Sequence, residues 1–364
     1  MGNYFDIAKD GLGTELSSLK NTKFYCVSKS GSNGCKWQHG ASIAYYGDKF
    51  YLSWGRNAGE ENTKGEQCVV FSTTDFATYQ LETELIDDGD MGYSHGVIYA
   101  KGENLYLFAP YFGGSDRQSP TGIHFKNLSM RGFVKTQAGW DRLNFELDDF
   151  WPLQEPIKLQ NGNYVMPGIN GLWQSAVALS SGEDFTSWTL VVPPYGENTA
   201  FTETALIARG DEVTLYVRNE RATDKDNVTA GVSVSHDGAK TFSLIAESNM
   251  PANTSKIYAG TLSSGERYII SNGKKGANRN RGALTIAIEE DGLFSKIYKI
   301  RDREIPPALK ETYFELDEQE AMSYPFALEK DGKLYVIYSS FMSRGCNYNN
   351  IELAVLDLSE ITGR

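Results

Sequence analysis

Apolar residues in this chain come in short bursts, and Gly, Asn and Asp residues separate one burst from the next. The stretch YPFALEKDGKLYVIYS, residues 324–339, shows the pattern: an apolar run, a turn at Asp331-Gly332 and a second apolar run. A helix would need apolar positions three and four apart over a longer window, whereas this pattern is typical of strand pairs joined by tight turns. We therefore predict an all-β protein.

The same hairpin pattern occurs six times. Each copy opens on a polar or aromatic residue, continues as an apolar strand, turns at a Gly and ends in a second apolar strand. Successive copies begin 56, 60, 48, 55 and 66 residues apart, at positions 39, 95, 155, 203, 258 and 324. Propeller blades run to about 40–50 residues plus loops. We predict a single β-propeller domain over residues 1–364 with six four-stranded blades, or seven if another lies in 1–38 or 110–150.

Residues 1–38 precede the first copy. An unpaired edge in a ring of sheets would be costly. We therefore expect segment 3–30 to supply a strand that closes the ring against the last blade.

Composition restricts the partners. The net charge is −12 and the pI about 5.0, with no basic block, so nucleic acid is not an expected partner. No apolar run approaches the ~18 residues of a membrane span, so membrane insertion is not expected either. Aromatic residues make up 12% of the chain, which suits stacking against sugar rings. Oligomeric state is left open.

The start of the chain and its cysteines bear on location. MGNYFDIAKDG has neither a basic nor an apolar leader region. We expect a periplasmic or secreted protein whose leader lies outside this sequence, with a cytoplasmic protein as the alternative. Cys26 and Cys35 could close a small loop in an oxidising compartment, or stay free thiols. The cysteines fit no zinc spacing, so no cofactor is expected, although the acidic loops could hold a structural Ca²⁺.

One turn sequence carries a family resemblance. SHDGAKTF, residues 235–242, resembles the Asp-box, S-x-D-x-G-x-T-[F/W], of bacterial neuraminidase (BNR) repeats, and three other turns resemble degraded copies. The resemblance implies a propeller of the sialidase superfamily. In it the Asp is structural, because its carboxylate can bind backbone N–H groups of its own hairpin.

Two further stretches resemble sialidase blades. TETALIARGDEVTLYVRNER, residues 202–221, is similar to the blade with a glutamate and a carboxylate-binding arginine, here Glu203 and Arg218. MSYPFALEKDG is similar to the blade with the tyrosine nucleophile, here Tyr324. The resemblance implies that the glutamate activates the tyrosine, since a phenol of pKa ~10 needs a base to attack an anomeric carbon.

The first blade departs from that family. Where sialidases have an Arg-Ile-Pro motif whose arginine grips the sialic carboxylate, this chain has Gln38-His39-Gly40. REIPP at 303–307 is out of register, and the acid/base aspartate has no counterpart. We therefore predict that the protein is not an orthodox sialidase. Propellers that open with His are similar to families acting on rhamnose–glucuronic acid linkages, some of them α-L-rhamnosidases and some polysaccharide lyases.

The repeat register gives the candidate site. In a propeller the innermost strands run side by side, so their equivalent starts should ring one mouth of the channel. Loops after the second strands should bring arginines to the same mouth. We predict four catalytic residues, His39, His95, Glu203 and Tyr324. We predict six substrate-binding residues, Glu155, Arg218, Tyr258, Arg281, Arg56 and Arg344.

These residues favour an exo-acting glycoside hydrolase on terminal residues of an acidic or rhamnosylated oligosaccharide or polysaccharide. Arginines would bind a carboxylate, and His, or Glu with Tyr, would supply acid/base or nucleophilic chemistry. A polysaccharide lyase, in which His or Tyr removes a proton from a uronate, is the first alternative. A lectin-like propeller is the second, but the six mouth positions differ, which favours one asymmetric site.

Overall fold

Strands dominate the fold. The computed structural model describes residues 4–6, 16–31, 34–87, 89–117, 121–183, 185–197, 199–222, 228–252, 254–273, 281–313, 321–341 and 348–363. Outside the strands these residues include a 3-10 helix at Pro307–Thr312 and a short α-helix, α1, at Leu358–Thr362. No helix in this part of the chain is long and apolar enough to cross a membrane.

The first three blades follow β1 (Lys23–Ser28) in chain order. Blade 1 contains β2 (Trp37–Tyr46), β3 (Lys49–Asn57), β4 (Gln67–Thr73) and β5 (Gln80–Leu85). Blade 2 contains β6 (Gly92–Tyr93), β7 (Val97–Lys101), β8 (Asn104–Phe112), β11 (Ser129–Lys135) and β12 (Trp140–Asp148). A ribbon between its strands contains β9 (Ser115–Asp116) and β10 (His124–Phe125). Blade 3 contains β13 (Trp151–Pro152), β14 (Ile157–Lys158), β15 (Tyr164–Ile169), β16 (Ser175–Ser180) and β17 (Trp188–Val191).

The remaining blades complete the ring. Blade 4 contains β18 (Phe201–Arg209), β19 (Glu212–Asn219), β20 (Thr229–Ser235) and β21 (Ala246–Pro251). Blade 5 contains β22 (Tyr258–Thr261), β23 (Arg267–Ser271), β24 (Ala283–Glu290) and β25 (Leu293–Asp302). Blade 6 contains β26 (Ala321–Lys330), β27 (Lys333–Phe341) and β28 (Asn349–Asp357), and β1 pairs antiparallel with β28 as its fourth strand.

The prediction of an all-β propeller with six blades is confirmed. Within the described residues, the segments in which a seventh blade was considered belong to other blades: β1 joins blade 6, and β11 and β12 complete blade 2. Closure by β1 leaves blade 6 with no open outer edge at β28. Apolar side chains fill the spaces between neighbouring sheets, as Phe50, Leu52 and Val336 do between blades 1 and 6.

The outer turns are held by aspartates. Asp237 accepts hydrogen bonds at Oδ1 from the N–H groups of Lys240 (3.1 Å) and Thr241 (2.9 Å). Asp75 does the same in blade 1 for Ala77 (2.9 Å) and Thr78 (3.0 Å). These bonds fix the hairpins at the periphery, far along each sheet from the channel.

The innermost strands are irregular at equivalent places. Pairing shifts register between His39 and Ser42 in blade 1, Phe201 and Thr204 in blade 4, and Ser323 and Phe326 in blade 6. In blades 2 and 3 the innermost strand is instead split, between β6 and β7 and between β13 and β14. Such bulges and breaks free the backbone from the ladder and re-aim side chains. They place polar residues at one end of the channel.

Candidate active site

A cavity of about 330 Å³ lies where the six blades meet. Every blade contributes to its wall, which locates it on the ring axis. Its polar wall is formed by His39, Glu61, Asn62, His95, Glu203, Arg218, Arg281 and Tyr324. Its apolar and aromatic wall is formed by Trp37, Ile123, Phe125, Trp151, Leu153, Ile169, Trp173 and Phe341.

Tyr324 and Glu203 are in direct contact in the wall of this cavity. The Tyr324 hydroxyl donates a hydrogen bond to Glu203 Oε1. Arg218 donates from Nη1 both to Glu203 Oε2 (2.8 Å) and to the Tyr324 hydroxyl oxygen (3.2 Å). A phenol, a carboxylate and a guanidinium therefore form one hydrogen-bonded unit.

Tyr324 adopts an unusual backbone conformation. Its φ is 55°, in the left-handed region, although it is neither Gly nor Asn and precedes Pro325. A residue before proline ordinarily prefers extended backbone, and conformations of this kind cost about 1–3 kcal/mol. The bulge between Ser323 and Phe326 accommodates this conformation and turns the ring into the cavity.

The charges around Tyr324 favour its protonated form. Burial, together with the Glu203 carboxylate, raises the pKa of Tyr324 well above its ordinary value, against the lowering effect of Arg218 and Arg281. Burial also opposes the charge of Arg218, but the carboxylates of Glu203 and Glu220 outweigh it and raise the pKa of Arg218 further. Arg218 therefore stays charged and is already paired with two carboxylates.

His39 and His95 flank the tyrosine as neutral imidazoles. The His39 ring centroid lies 3.9 Å and the His95 centroid 5.9 Å from that of Tyr324. Burial, then the nearby His95 and Arg281, lower the pKa of His39 well below its ordinary value. Burial lowers the pKa of His95 to about 3. His39 Nδ1 lies 2.8 Å from the Ser339 hydroxyl, which orients the ring.

Gly40 makes room for this pair of histidines. Its φ is 66°, and a Cβ added there would lie 2.2 Å from Cγ of His95. A side chain at position 40 is therefore excluded both by backbone conformation and by the His95 ring. The His-Gly sequence at the start of blade 1 is explained by this contact.

Arg281 is a cavity arginine that is positioned to bind an external anion. It donates from Nη2 to the Thr254 carbonyl (2.7 Å), and no carboxylate of the described residues lies within ion-pair distance of it. Burial and the neighbouring Arg218 lower its pKa. Arg281 can therefore bind an incoming anion, whereas Arg218 is engaged by protein carboxylates.

The loop between β3 and β4, residues 58–66, adds a carboxylate that the sequence interpretation missed. Glu61 lies at the cavity rim, where it accepts a hydrogen bond at Oε2 from Trp37 Nε1 (3.1 Å). The loop is anchored by the buried Glu66, which accepts at Oε1 from the N–H of Thr63 (3.1 Å). Burial raises the pKa of Glu66 to about 8. The length and acidity of this loop were the only signals in the sequence.

Two ring positions lie elsewhere than expected. Glu155 and Tyr258 are not among the residues that line the cavity. They contact each other instead: the Tyr258 hydroxyl lies 2.7 Å from Glu155 Oε1 and 2.9 Å from the Ala327 carbonyl oxygen. Tyr258 begins a regularly paired strand, and Glu155 lies in the break before β14. Counting back from the turn glycine of each repeat therefore does not identify residues at the channel mouth in these two blades.

Arg56 is also away from the cavity. It lies within β3 rather than in the following loop, and it pairs with Glu84 and with Gln67 Oε1 (3.0 Å) on neighbouring strands. Strand β3 extends to Asn57, further than expected, so Arg56 lies in the sheet and contacts side chains of the neighbouring strands. Arg344 lies outside the described residues.

Metal-ligating residue types are spread out in the part of the chain that the structure describes. The described residues contain no group of three or more His, Cys, Asp or Glu positioned for a metal ion. The three cysteines in this part of the chain, Cys26, Cys35 and Cys68, are free thiols, so Cys26 and Cys35 do not form the loop-closing disulfide.

Sequence comparison identifies one family. The profile of the BNR repeat-like domain matches residues 151–336. A search of curated protein sequences found none that matches.

Solved structures show the same fold. A protein of unknown function from Dyadobacter fermentans DSM 18053 is 14% identical, with a TM-score of 0.66, over 93% of this chain and 100% of its own. Trypanosoma rangeli sialidase in complex with sialic acid is 14% identical, with a TM-score of 0.66, over 95% of this chain. Its complex with 2,3-difluorosialic acid, a covalent intermediate, is 15% identical with a TM-score of 0.64. This chain spans about 60% of the length of those sialidase chains.

Proposed function

The chain belongs to the BNR repeat-like domain family, and on this basis we propose that it is an exo-acting glycoside hydrolase that removes terminal residues from an acidic or rhamnosylated glycan. The observation that carries the proposal is the contact of the Tyr324 hydroxyl with Glu203, with Arg218 bonded to both. A cavity of about 330 Å³ suits a small terminal group rather than a length of polymer.

The proposed reaction proceeds through a glycosyl-tyrosine. As the Tyr324 oxygen attacks the anomeric carbon, Glu203 takes the phenol proton and Arg218 stabilises the developing negative charge. Glu61 gives a proton to the departing glycosidic oxygen. It then takes a proton from the water that attacks the anomeric carbon, and Tyr324 leaves, recovering its proton from Glu203. Two displacements at one carbon give retention of configuration.

Arg281 would hold the acidic group of the sugar. It is the cavity arginine without a carboxylate partner in the described part of the chain, and a charged bidentate bond is the strongest contact available to a carboxylate. His39 stands where a sialidase would have another arginine, and it is neutral. We therefore propose a substrate other than the usual sialosides, such as a uronate or a rhamnosylated uronate.

Lyase chemistry is the second candidate. Its support is the position of the uncharged His39 ring, 3.9 Å from that of Tyr324, since a neutral imidazole has one ring nitrogen that can accept a proton. In that reaction His39 would remove the C5 proton of a uronate and Tyr324 would protonate the leaving oxygen. The product would carry a C4–C5 double bond.

One experiment separates these activities. The protein is incubated with oligosaccharides ending in glucuronate, in rhamnose linked to glucuronate, and in sialic acid, with Tyr324→Phe as the control. Reducing sugar without ultraviolet absorbance supports the hydrolase, and absorbance of an unsaturated uronate supports the lyase. Binding without product supports the lectin alternative. Release of sialic acid would contradict the proposal that His39, in place of an arginine, excludes the usual sialosides.

A covalent trap tests the nucleophile directly. A 2-fluoro glycosyl fluoride of the substrate found above should label the wild type once, with the mass increase on the peptide that contains Tyr324. Labelling of another residue, or none in an enzyme that turns over, would contradict the mechanism. Because only protein side chains take part, we expect EDTA to leave the rate unchanged.

Location follows from the substrate proposed. Glycans that end in acidic sugars are mostly found outside the cytoplasm, so we propose that the protein works in the periplasm or after secretion. Fractionation of producing cells with an antibody to the chain tests this point.

A further inference from the structure

A lysine lies buried behind the candidate nucleophile. Lys256 is 3% exposed and precedes β22, the innermost strand of blade 5. Its ammonium donates to the carbonyl oxygen of Pro325 (2.9 Å), the residue after Tyr324 in blade 6. The rings of Tyr258 and Phe326 flank it, with centroids 5.9 and 5.8 Å from Nζ. A buried lysine is rare unless it is paired.

The Pro325 carbonyl that Lys256 binds lies outside the regular pairing of its sheet. Pairing of β26 with β27 breaks between Ser323 and Phe326, so Pro325 lies within the bulge. Pro325 also has no N–H to fix it from the other side. A buried carbonyl in this position needs a donor from outside its own sheet, and Lys256 supplies it from the next blade.

We propose that Lys256 is a positioning residue for Tyr324. By holding the Pro325 carbonyl, it keeps the bulge in the form that gives Tyr324 its left-handed φ of 55° and puts the hydroxyl on Glu203. The role in turnover rests on the proposed function, whereas the role in backbone geometry does not. Lys256 is absent from the cavity wall, so it acts through Tyr324 rather than on a substrate.

The surrounding charges fit this role. Burial lowers the pKa of Lys256 to about 8, against the raising effect of Glu203 and Glu155. Neither carboxylate forms an ion pair with Lys256 in the described residues; Glu203 is paired with Arg218 and Glu155 contacts Tyr258. The ammonium is therefore committed to the backbone carbonyl.

The test compares Lys256→Met with Lys101→Met. Lys101 also donates to a backbone carbonyl, that of Glu183 (2.6 Å), but far from the cavity. Crystal structures of both variants are compared with the wild type. We expect Tyr324 to leave Glu203 in Lys256→Met only. A Tyr324 that keeps its φ and its contact with Glu203 in Lys256→Met would overturn the proposal.

Kinetics give the second measurement. A displaced nucleophile should lower kcat about 100-fold, while KM for the same glycan stays within about threefold because substrate contacts remain. A raised KM with unchanged kcat would contradict a positioning role. If the wild type cleaves no glycan, the proposed function fails, and the crystal structures still decide the role of Lys256. If Lys256→Met does not fold, Lys256→Leu, which also lacks a donor, is compared in the same way.

Discussion

At the scale of single residues, the site depends on groups that burial forces into unusual states. Tyr324 is strained and has a raised pKa, the two histidines are neutral, and one arginine is left for an external anion. Each pKa shift follows from burial and from neighbouring charges of the same sign as the group's own charged form. Perturbed groups of this kind concentrate at functional sites.

Replacing Tyr324 by Phe should abolish turnover and preserve the fold. The variant loses the attacking oxygen, and losses of about 10⁴-fold or more are typical of a removed nucleophile. Glu203 keeps its contact with Arg218, so the melting temperature should change little. Tyr335→Phe on the adjacent strand is the matched control and should retain wild-type rates. Wild-type turnover by Tyr324→Phe would rule out the glycosyl-tyrosine.

Replacing Arg281 by Met should weaken binding of acidic substrates. Loss of a charged hydrogen bond, about 1.5–3 kcal/mol, should raise KM by about 10–100-fold for an acidic sugar. The neutral methyl ester of that sugar should be affected much less. Arg56→Met, which removes the contacts with Glu84 and Gln67 and leaves the cavity wall untouched, is the control. An equal rise in KM for acid and ester would contradict a role in anion binding.

Glu66 should make stability depend on pH in the neutral range. Its folded-state pKa of about 8 lies above its ordinary value of 4.5. The stabilisation from the protonated carboxyl is therefore complete below pH 4.5 and is lost as pH rises towards 8, at about 1.4 kcal/mol per pH unit. Glu66→Gln cannot ionise, so its stability relative to wild type should increase between pH 5 and 8. Denaturant unfolding at both values measures this, and the exposed neighbour Glu60→Gln should show no such difference.

At the scale of strands, the bulges of three innermost strands each bring a polar residue to the cavity, whereas a break does so in blade 2 but not in blade 3. His39, Glu203 and Tyr324 lie at bulges of their innermost strands, and His95 lies in a break. All four line the cavity, whereas the regularly paired Tyr258 does not.

The Gly40 contact can be tested by Gly40→Ala. The methyl group would meet His95 and would also require a positive φ, at a combined cost of about 2–4 kcal/mol. Gly47→Ala is the matched control, because its φ is 54° with no atom within 4 Å of the added Cβ, so it tests strain alone. Thermal unfolding should show a lower melting temperature for Gly40→Ala than for Gly47→Ala. A similar decrease in both variants would show that the His95 ring moves aside at little cost.

The sequence predicted the strands well because their signals are local. Alternating apolar residues and turn glycines define each hairpin without knowledge of its neighbours. Glu155, Tyr258 and Arg56 were misplaced because bulges add residues and strands extend, and neither is visible in a hydrophobic pattern. Glu61 was missed because it lies in a loop rather than at the start of a repeat. Lys256 was missed because its role depends on a contact between blades, which no single repeat encodes.

At the scale of the whole molecule, closure of the ring joins the two ends of the chain. β1 pairs with β28 from Lys23↔Val355 to Ser28↔Ile351, and Val27 is buried with residues of blade 6. Contacts between positions so distant in sequence require a long loop to close, and such non-local pairing slows folding.

Removing residues 1–28 should open the ring. The truncated chain loses the β1 ladder and exposes the edge of β28, which favours association between molecules. We expect a melting temperature lower by several degrees, since a loss of 1 kcal/mol shifts it by about 2–4 °C in larger domains. Light scattering should show oligomers that the full chain lacks. An unchanged, monomeric truncated protein would contradict a closing role for β1.

The contact between Tyr324 and Glu203 crosses the channel from blade 6 to blade 4, with blade 5 between them. The two residues belong to different sheets, so their contact forms only when all six blades are packed in the complete propeller. Under the proposed mechanism, an incompletely folded chain would carry every reactive group and still be inert. The catalytic rate per molecule would then measure the fraction of molecules whose propeller is fully closed. Strand content alone cannot report that fraction.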